Sequence, residues 1–332
     1  MRRNWALGFV VALALVALQA LLVPLFAGPA THLAPRHLPI AVAGPAPAAN
    51  GLAHQLQAER PGAFDVTVVP DEAAADAAIR QREVYGAVVI GPAGAQLHVA
   101  SAASPIVATL LTQAAAGMGG SGQAVPVRDV VPTDPKDPRG AGFAAGFLPL
   151  TMTGLLAGVL IFFLVRSRGA RLFALITFAA LAGLAGAAVQ QYWLDILPGD
   201  YWAVAAALGL VALAIAATVA GLGALLGRPG AALGVLGVFL VGNPLSAVAA
   251  APELLPEPWG AVGQDLPIGA GATLLRSAAY FDWDGSRHAL IVLGAYAIGG
   301  LLLVAAGGRR LGRPPAQTAP ANGTERERAL AA

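Results

Sequence analysis

Six stretches of this chain run for about 20 residues with almost no charge, at 5–27, 143–165, 172–190, 202–226, 231–250 and 288–306. A helix of that length matches the roughly 30 Å hydrocarbon thickness of a bilayer. Within lipid every backbone polar group must be satisfied internally, which leaves helices or closed barrels. These runs are continuous and do not alternate, so helices are expected. Composition agrees: 57% of the residues are hydrophobic and 11% charged, against about 25% charged in a soluble domain. Mean hydropathy is +0.69. Lipid must cover much of such a surface.

The first run is longer than the apolar core of a secretory signal, and Gly28-Pro29-Ala30 is a poor cleavage site. It is expected to remain as an anchor. Arginines set the orientation, because short cytoplasmic loops collect positive charge. Arg2 and Arg3 precede the first run, and Arg166, Arg168 and Arg171 separate the second from the third. Arg228 separates the fourth from the fifth, and Arg309, Arg310 and Arg313 follow the last. With six spans, all fall on one side. The loop 192–201 carries Asp195 and Asp200 and no basic residue, as the opposite side should. The expected fold class is a polytopic α-helical membrane protein of about six transmembrane helices, with an inserted α/β extracytoplasmic domain. Arg and Ala are abundant and the only lysine is Lys136. That bias reads as GC-rich coding and points to a bacterial plasma membrane, with both termini cytoplasmic.

The organisation follows. Residues 1–28 hold the first helix, 29–140 the extracytoplasmic α/β domain, 141–312 a five-helix membrane domain, and 313–332 a disordered cytoplasmic tail. Within the domain, strands are expected at 38–43, 64–69, 85–90, 96–100 and, as an edge, 125–131. Helices are expected at 49–59, 71–83 and 105–116, with Asp71 as an N-cap. The order β-α-β-α-β-β-α-β argues for a small α/β domain. Residues 117–122 read as a flexible loop and 133–140 as the linker back to the membrane. The segment 251–287, rich in Pro and Gly, is expected to form short re-entrant or interfacial helices, at 254–262 and 268–281.

Several function classes are excluded. The chain has no Cys, hence no disulfides, thiolate metal sites or thiol catalysis. A phosphate loop needs Lys followed by Ser or Thr, and Lys136 sits among Pro and Asp. Ion-coupled transporters place ionisable groups at depth, whereas the polar groups here are mild, such as Gln19, Thr151, Thr218 and Asn243. His32, His37, His54, His98 and His288 show no metal-ligand spacing, and Asp71, Glu72 and Asp76 read as a solvated helix face. No cofactor, catalytic constellation or nucleic-acid surface is expected, so the chain reads as a non-enzyme. Glycines four apart, at 142/146, 154/158, 223/227 and 230/234, permit close helix approach, within the chain or between subunits.

Asn243, Pro244 and Ser246, followed by Pro267 and Arg276, stand in an order that resembles the end of the membrane domain in type-2 ABC exporter permeases, especially the phage-infection-protein (Pip) like branch. There Asn-Pro-x-Ser ends the fifth helix, an outer hairpin follows, and Leu-Pro and Arg precede the last span. The resemblance implies a permease subunit of an ABC-type exporter, moving a hydrophobic or amphipathic cargo outward with energy from a separate ATPase. It implies a homodimer or heterodimer of permease halves. Arg166, Arg168 and Arg171 would be the contact to that cytoplasmic partner; as loop arginines they also suit anionic membrane lipid. The loop 166–171 is shorter than its counterpart in well-understood members. The alternative is a non-transporting scaffold or surface receptor whose outer domain binds a partner protein.

Overall fold

A computed structural model describes residues 2–92, 94–118 and 125–307. The tail expected at 313–332 and most of the loop at 117–122 lie outside the described residues.

Helix α1 (Arg2–Thr31) opens the chain. Strand β1 (Leu38–Ala43) and helix α2 (Ala46–Glu59) follow, then β2 (Phe64–Val69), α3 (Glu72–Arg80), β3 (Gly86–Gly91), β4 (Gly94–Val99), α4 (Pro105–Met118) and β5 (Val127–Asp129). The sheet order is β2-β1-β3-β4-β5. β1 runs parallel to both β2 and β3, β4 antiparallel to β3, and β5 parallel to β4. The expected edge strand is the outermost, and each expected strand and helix of the domain is present within a few residues. Asp71 caps α3 by accepting from the Ala74 N–H at 2.8 Å, as its position before an apolar-periodic run predicts.

The second half is helical: α5 (Ala141–Leu164), α6 (Arg168–Ala188) continued by one π turn (Val189–Trp193), and α7 (Tyr201–Leu226). After α8 (Arg228–Leu236) comes a second π turn (Gly237–Val241), then α9 (Gly242–Leu245), α10 (Trp259–Gln264), α11 (Pro267–Tyr280) and α12 (Arg287–Gly307). α7 is the hub, and Val204, Leu208, Val211, Ile215 and Val219 on it are fully enclosed. α5, α6, α8, α11 and α12 pack around it. The Gly154/Gly158 pair of α5 lies against Ile215, Ala216 and Val219 of α7, and Gly223 lies under Phe162. Gly230 and Gly234 lie against Leu222 and Val219. These glycines are therefore used for packing within the chain.

Among the described residues five helices are long and apolar enough to cross a membrane: α1, α5, α6 with its π turn, α7 and α12. The sixth expected span, 231–250, is divided. Helical backbone ends at Leu245, and the π turn at Gly237–Val241 interrupts it. Pro244 supplies the reason. It has no N–H to donate and its ring crowds the carbonyl four residues back, which lies in that π turn. Chain turns follow at once, with Ala247 at φ 51°.

Candidate functional site

The α/β domain is not separate from the helices. Its sheet has two apolar faces, and each is completed by residues of the segment between α9 and α12. On one face Leu38, Val88, Leu97 and Leu111 cluster with Ala250, Ala251 and Leu254. On the other, Ala41, Ala75, Ile79 and Val89 cluster with Phe281. Leu254 is 0% exposed and Phe281 3%.

Polar contacts pin the same junction. Tyr85 donates to Glu253 Oε2 at 2.8 Å. Arg36 donates Nη1 to the Leu254 carbonyl at 2.8 Å, and its N–H reaches the Glu253 carbonyl at 2.9 Å. Arg82 donates Nη1 to the Thr273 carbonyl at 3.0 Å and to Ser277 Oγ at 2.6 Å. Its backbone, at φ 59° just after α3, turns the side chain away from the helix and toward α11. Ser277 in turn donates to the Asp284 carbonyl at 2.7 Å.

A cavity of about 420 Å³ opens beside these contacts, between Arg82, Tyr85 and Glu83 on the domain and Glu253, Gln264 and Thr273 on the helical side. Burial holds the Arg82 guanidinium below the usual arginine range, with Tyr85 and Glu253 opposing. Burial, and then the Glu253 charge, push the Tyr85 phenol well up, so Tyr85 acts as a hydrogen-bond donor. Its lining presents the Arg36 and Arg82 guanidinium groups and the carboxylates of Glu83, Glu253 and Glu257.

The motif residues converge next to it. Ser246 closes α9 by donating to the Asn243 carbonyl at 2.7 Å, and Pro244 lies between them in the same turn. Pro267 starts α11, where a missing N–H costs nothing. Arg276 is 6% exposed, donates Nη2 to the Val248 carbonyl at 2.5 Å, and stands 4.6 Å from the Phe143 ring centroid. Burial, with the Arg82 charge adding, pushes it down to about 10. Arg276 thus ties α11 to the turn after α9 and to α5.

The arginines expected in a loop lie apart from this junction: Arg166 stands between α5 and α6, and Arg168 and Arg171 belong to the first turn of α6. Arg171 donates Nε to the Val165 carbonyl at 2.6 Å and Nη2 to the Phe162 carbonyl at 2.9 Å. It therefore closes the C-terminus of α5, where free carbonyls and the helix dipole favour a cation. Arg166 is exposed and Arg168 half-buried.

A second, apolar cleft of about 410 Å³ lies where the last turns of α1 approach α9 and α10, lined by Leu21, Pro24, Leu25, His32, Leu245 and Trp259. Along the rest of α1, Trp5, Phe9 and Leu13 are exposed.

Sequence reading missed one cluster. Asp76, expected on a solvated face, is 6% exposed, and His98 on β4 is 0% exposed. His98 Nδ1 and Asp76 Oδ1 are 2.7 Å apart. The signal was available only as an i, i+4 pair of acids on α3; the histidine that joins them comes from a strand 22 residues away from Asp76. In comparisons with known proteins, no family model, no curated protein and no solved structure matches this chain.

Proposed function

We propose that the chain is the membrane subunit of an exporter, moving a hydrophobic or amphipathic cargo outward with energy from a separate ATPase. One observation carries the reading: the apolar cleft between α1 and the α9–α10 segment, bounded by Leu21, Leu25, Leu245 and Trp259. It adjoins the segment in which the α/β domain is seated. A cleft of that character suits an acyl chain or a flat apolar group, with His32 as its one ionisable lining residue among those described. Among the described residues the long helices bring no acidic residue to depth, which weighs against coupling to an ion gradient and supports an energy source outside the chain. The motif around Asn243, Pro244, Ser246, Pro267 and Arg276 supports the same reading through its resemblance to Pip-like permeases.

A scaffold or receptor is the second reading, and Arg171 favours it. Its guanidinium is held by the end of α5, which leaves Arg166 and Arg168 as the loop's remaining charge for a cytoplasmic partner.

Purification from native membranes in mild detergent separates the two. The exporter reading expects a co-purifying ATPase whose hydrolysis rises on reconstitution with the chain, and ATP-dependent movement of an amphipathic dye that Trp259→Ala reduces. A co-purified assembly without ATPase, or hydrolysis indifferent to the chain, would remove the exporter reading and leave the scaffold.

A further inference from the structure

We propose that His98 and Glu72 bind a divalent cation of the zinc type on the α/β domain, with Asp76 orienting the imidazole, at a position that the Arg128 guanidinium now shares. An ionised carboxylate only accepts hydrogen bonds. The 2.7 Å contact with Asp76 therefore places the proton on His98 Nδ1. In the neutral ring that leaves Nε2 as the free lone pair. Nε2 is buried and, among the described residues, is the one buried side-chain nitrogen or oxygen without a hydrogen-bond partner. It points toward Glu72, whose Oε1 is 3.8 Å away, too far for a hydrogen bond.

The arrangement is that of a metal-binding histidine. Such a ring donates its second N–H to a carboxylate, which fixes the tautomer and raises the basicity of the ligating nitrogen. One ligand atom from each of the three residues lies within 4.8 Å of the other two. A tetrahedral zinc needs bonds of about 2.0–2.2 Å to N and O, so the ligands must draw together. Glu72 has the freedom to move: its side chain is 52% exposed, in the first turn of α3. One nitrogen and one carboxylate, completed by water, suit zinc or a neighbouring first-row divalent ion and give no soft sulfur ligand.

The surroundings already select positive charge. Arg128 Nη1 lies 2.7 Å from Glu72 Oε1 and 3.4 Å from Asp76 Oδ2, and Arg80 Nη2 lies 3.6 Å from Asp76 Oδ2. Arg128 is half-exposed on the three-residue edge strand β5, and its side chain can swing into solvent. An entering cation would take its place on Glu72 and gain the imidazole that Arg128 does not use. Occupancy would then fasten α3 to β4.

The test is zinc binding to the full-length protein in detergent, with a purification tag free of histidine, by competition against a chromophoric chelator. His37 with Asp65 and His288 with Asp265 set a background, so the reading is a difference between variants. His98→Gln is expected to remove one equivalent of zinc. Glu72→Gln should weaken that equivalent at least tenfold, and being half-exposed it preserves the fold if His98→Gln does not. Arg128→Gln should tighten binding, because it removes the competing cation. Equal stoichiometry and affinity in the parent and Glu72→Gln proteins would overturn the site, as would weaker binding in Arg128→Gln.

Discussion

Arg82 and Ser277 meet at 2.6 Å although 195 residues separate them in the chain. Gly285, at φ 70°, lies against the same arginine, and a Cβ there would come within 3.1 Å of the Arg82 Cβ. The turn after α11 is thus wound around one side chain of the α/β domain. A hydrogen bond to a charged group contributes about 1.5–3 kcal/mol, so Arg82→Gln is expected to lower stability by about 2 kcal/mol. Hydrogen exchange should locate the loss in residues 251–285. Unchanged protection there, relative to an Arg60→Gln control on the exposed surface, would show that Arg82 does not hold the junction.

Leu254 lies far from the domain in sequence yet is 0% exposed in one of its cores. Truncating such a leucine costs about 2–5 kcal/mol. Leu254→Ala should therefore loosen β1, β3 and β4, not only its own segment. Mass-resolved hydrogen exchange checks this, and protection unchanged in all three strands would refute the shared core.

The α6–α7 crossing depends on Gly183, where a Cβ would come 2.2 Å from the Ala205 carbonyl oxygen. Overpacking costs about 1–3 kcal/mol where neighbours can shift, and backbone cannot shift cheaply. Gly183→Val is expected to lower the melting temperature in detergent. Gly299→Val should be tolerated, since nothing lies within 4 Å of that position. Equal melting of the two variants would argue against the close crossing.

The arginine pattern predicts that the α/β domain and the α5–α6 loop face opposite sides of the membrane. The chain has no cysteine, so single ones can be placed. Ala58 and Gly169 are both exposed. An impermeant maleimide is expected to label Ala58→Cys in intact cells and Gly169→Cys only after lysis. The reverse pattern would invert the topology.

His37 adds a pH dependence. Its imidazole is raised above the ordinary range by the hydrogen bond to Asp65, then by the Asp65 charge. A raised histidine stabilises the fold fully below the unfolded pKa of about 6.5 and loses that contribution as pH rises through the folded value. Between mildly acidic and mildly alkaline pH the parent should therefore lose more thermal stability than His37→Asn. Parallel curves for the two proteins would exclude the contribution.

What the sequence determined was local. Period and length announced the strands and helices of the domain, because alternation and turn residues such as Gly91 and Gly94 act over a few positions. Asp71 marked a helix start for the same reason. The apolar runs announced four long helices of the second half and α1, since lipid selects on composition. Tertiary structure decided the rest. Hydropathy averages over 231–250 and does not register that Pro244 and the π turn divide it. The pairing of His98 with Asp76 depends on where β4 passes under α3, and no spacing encodes that. The domain boundary near residue 140 is a boundary of the chain only. Leu254 and Phe281 complete the domain's two cores because apolar sheet faces take whatever surface the folded chain brings to them, and burial carries no record of sequence distance.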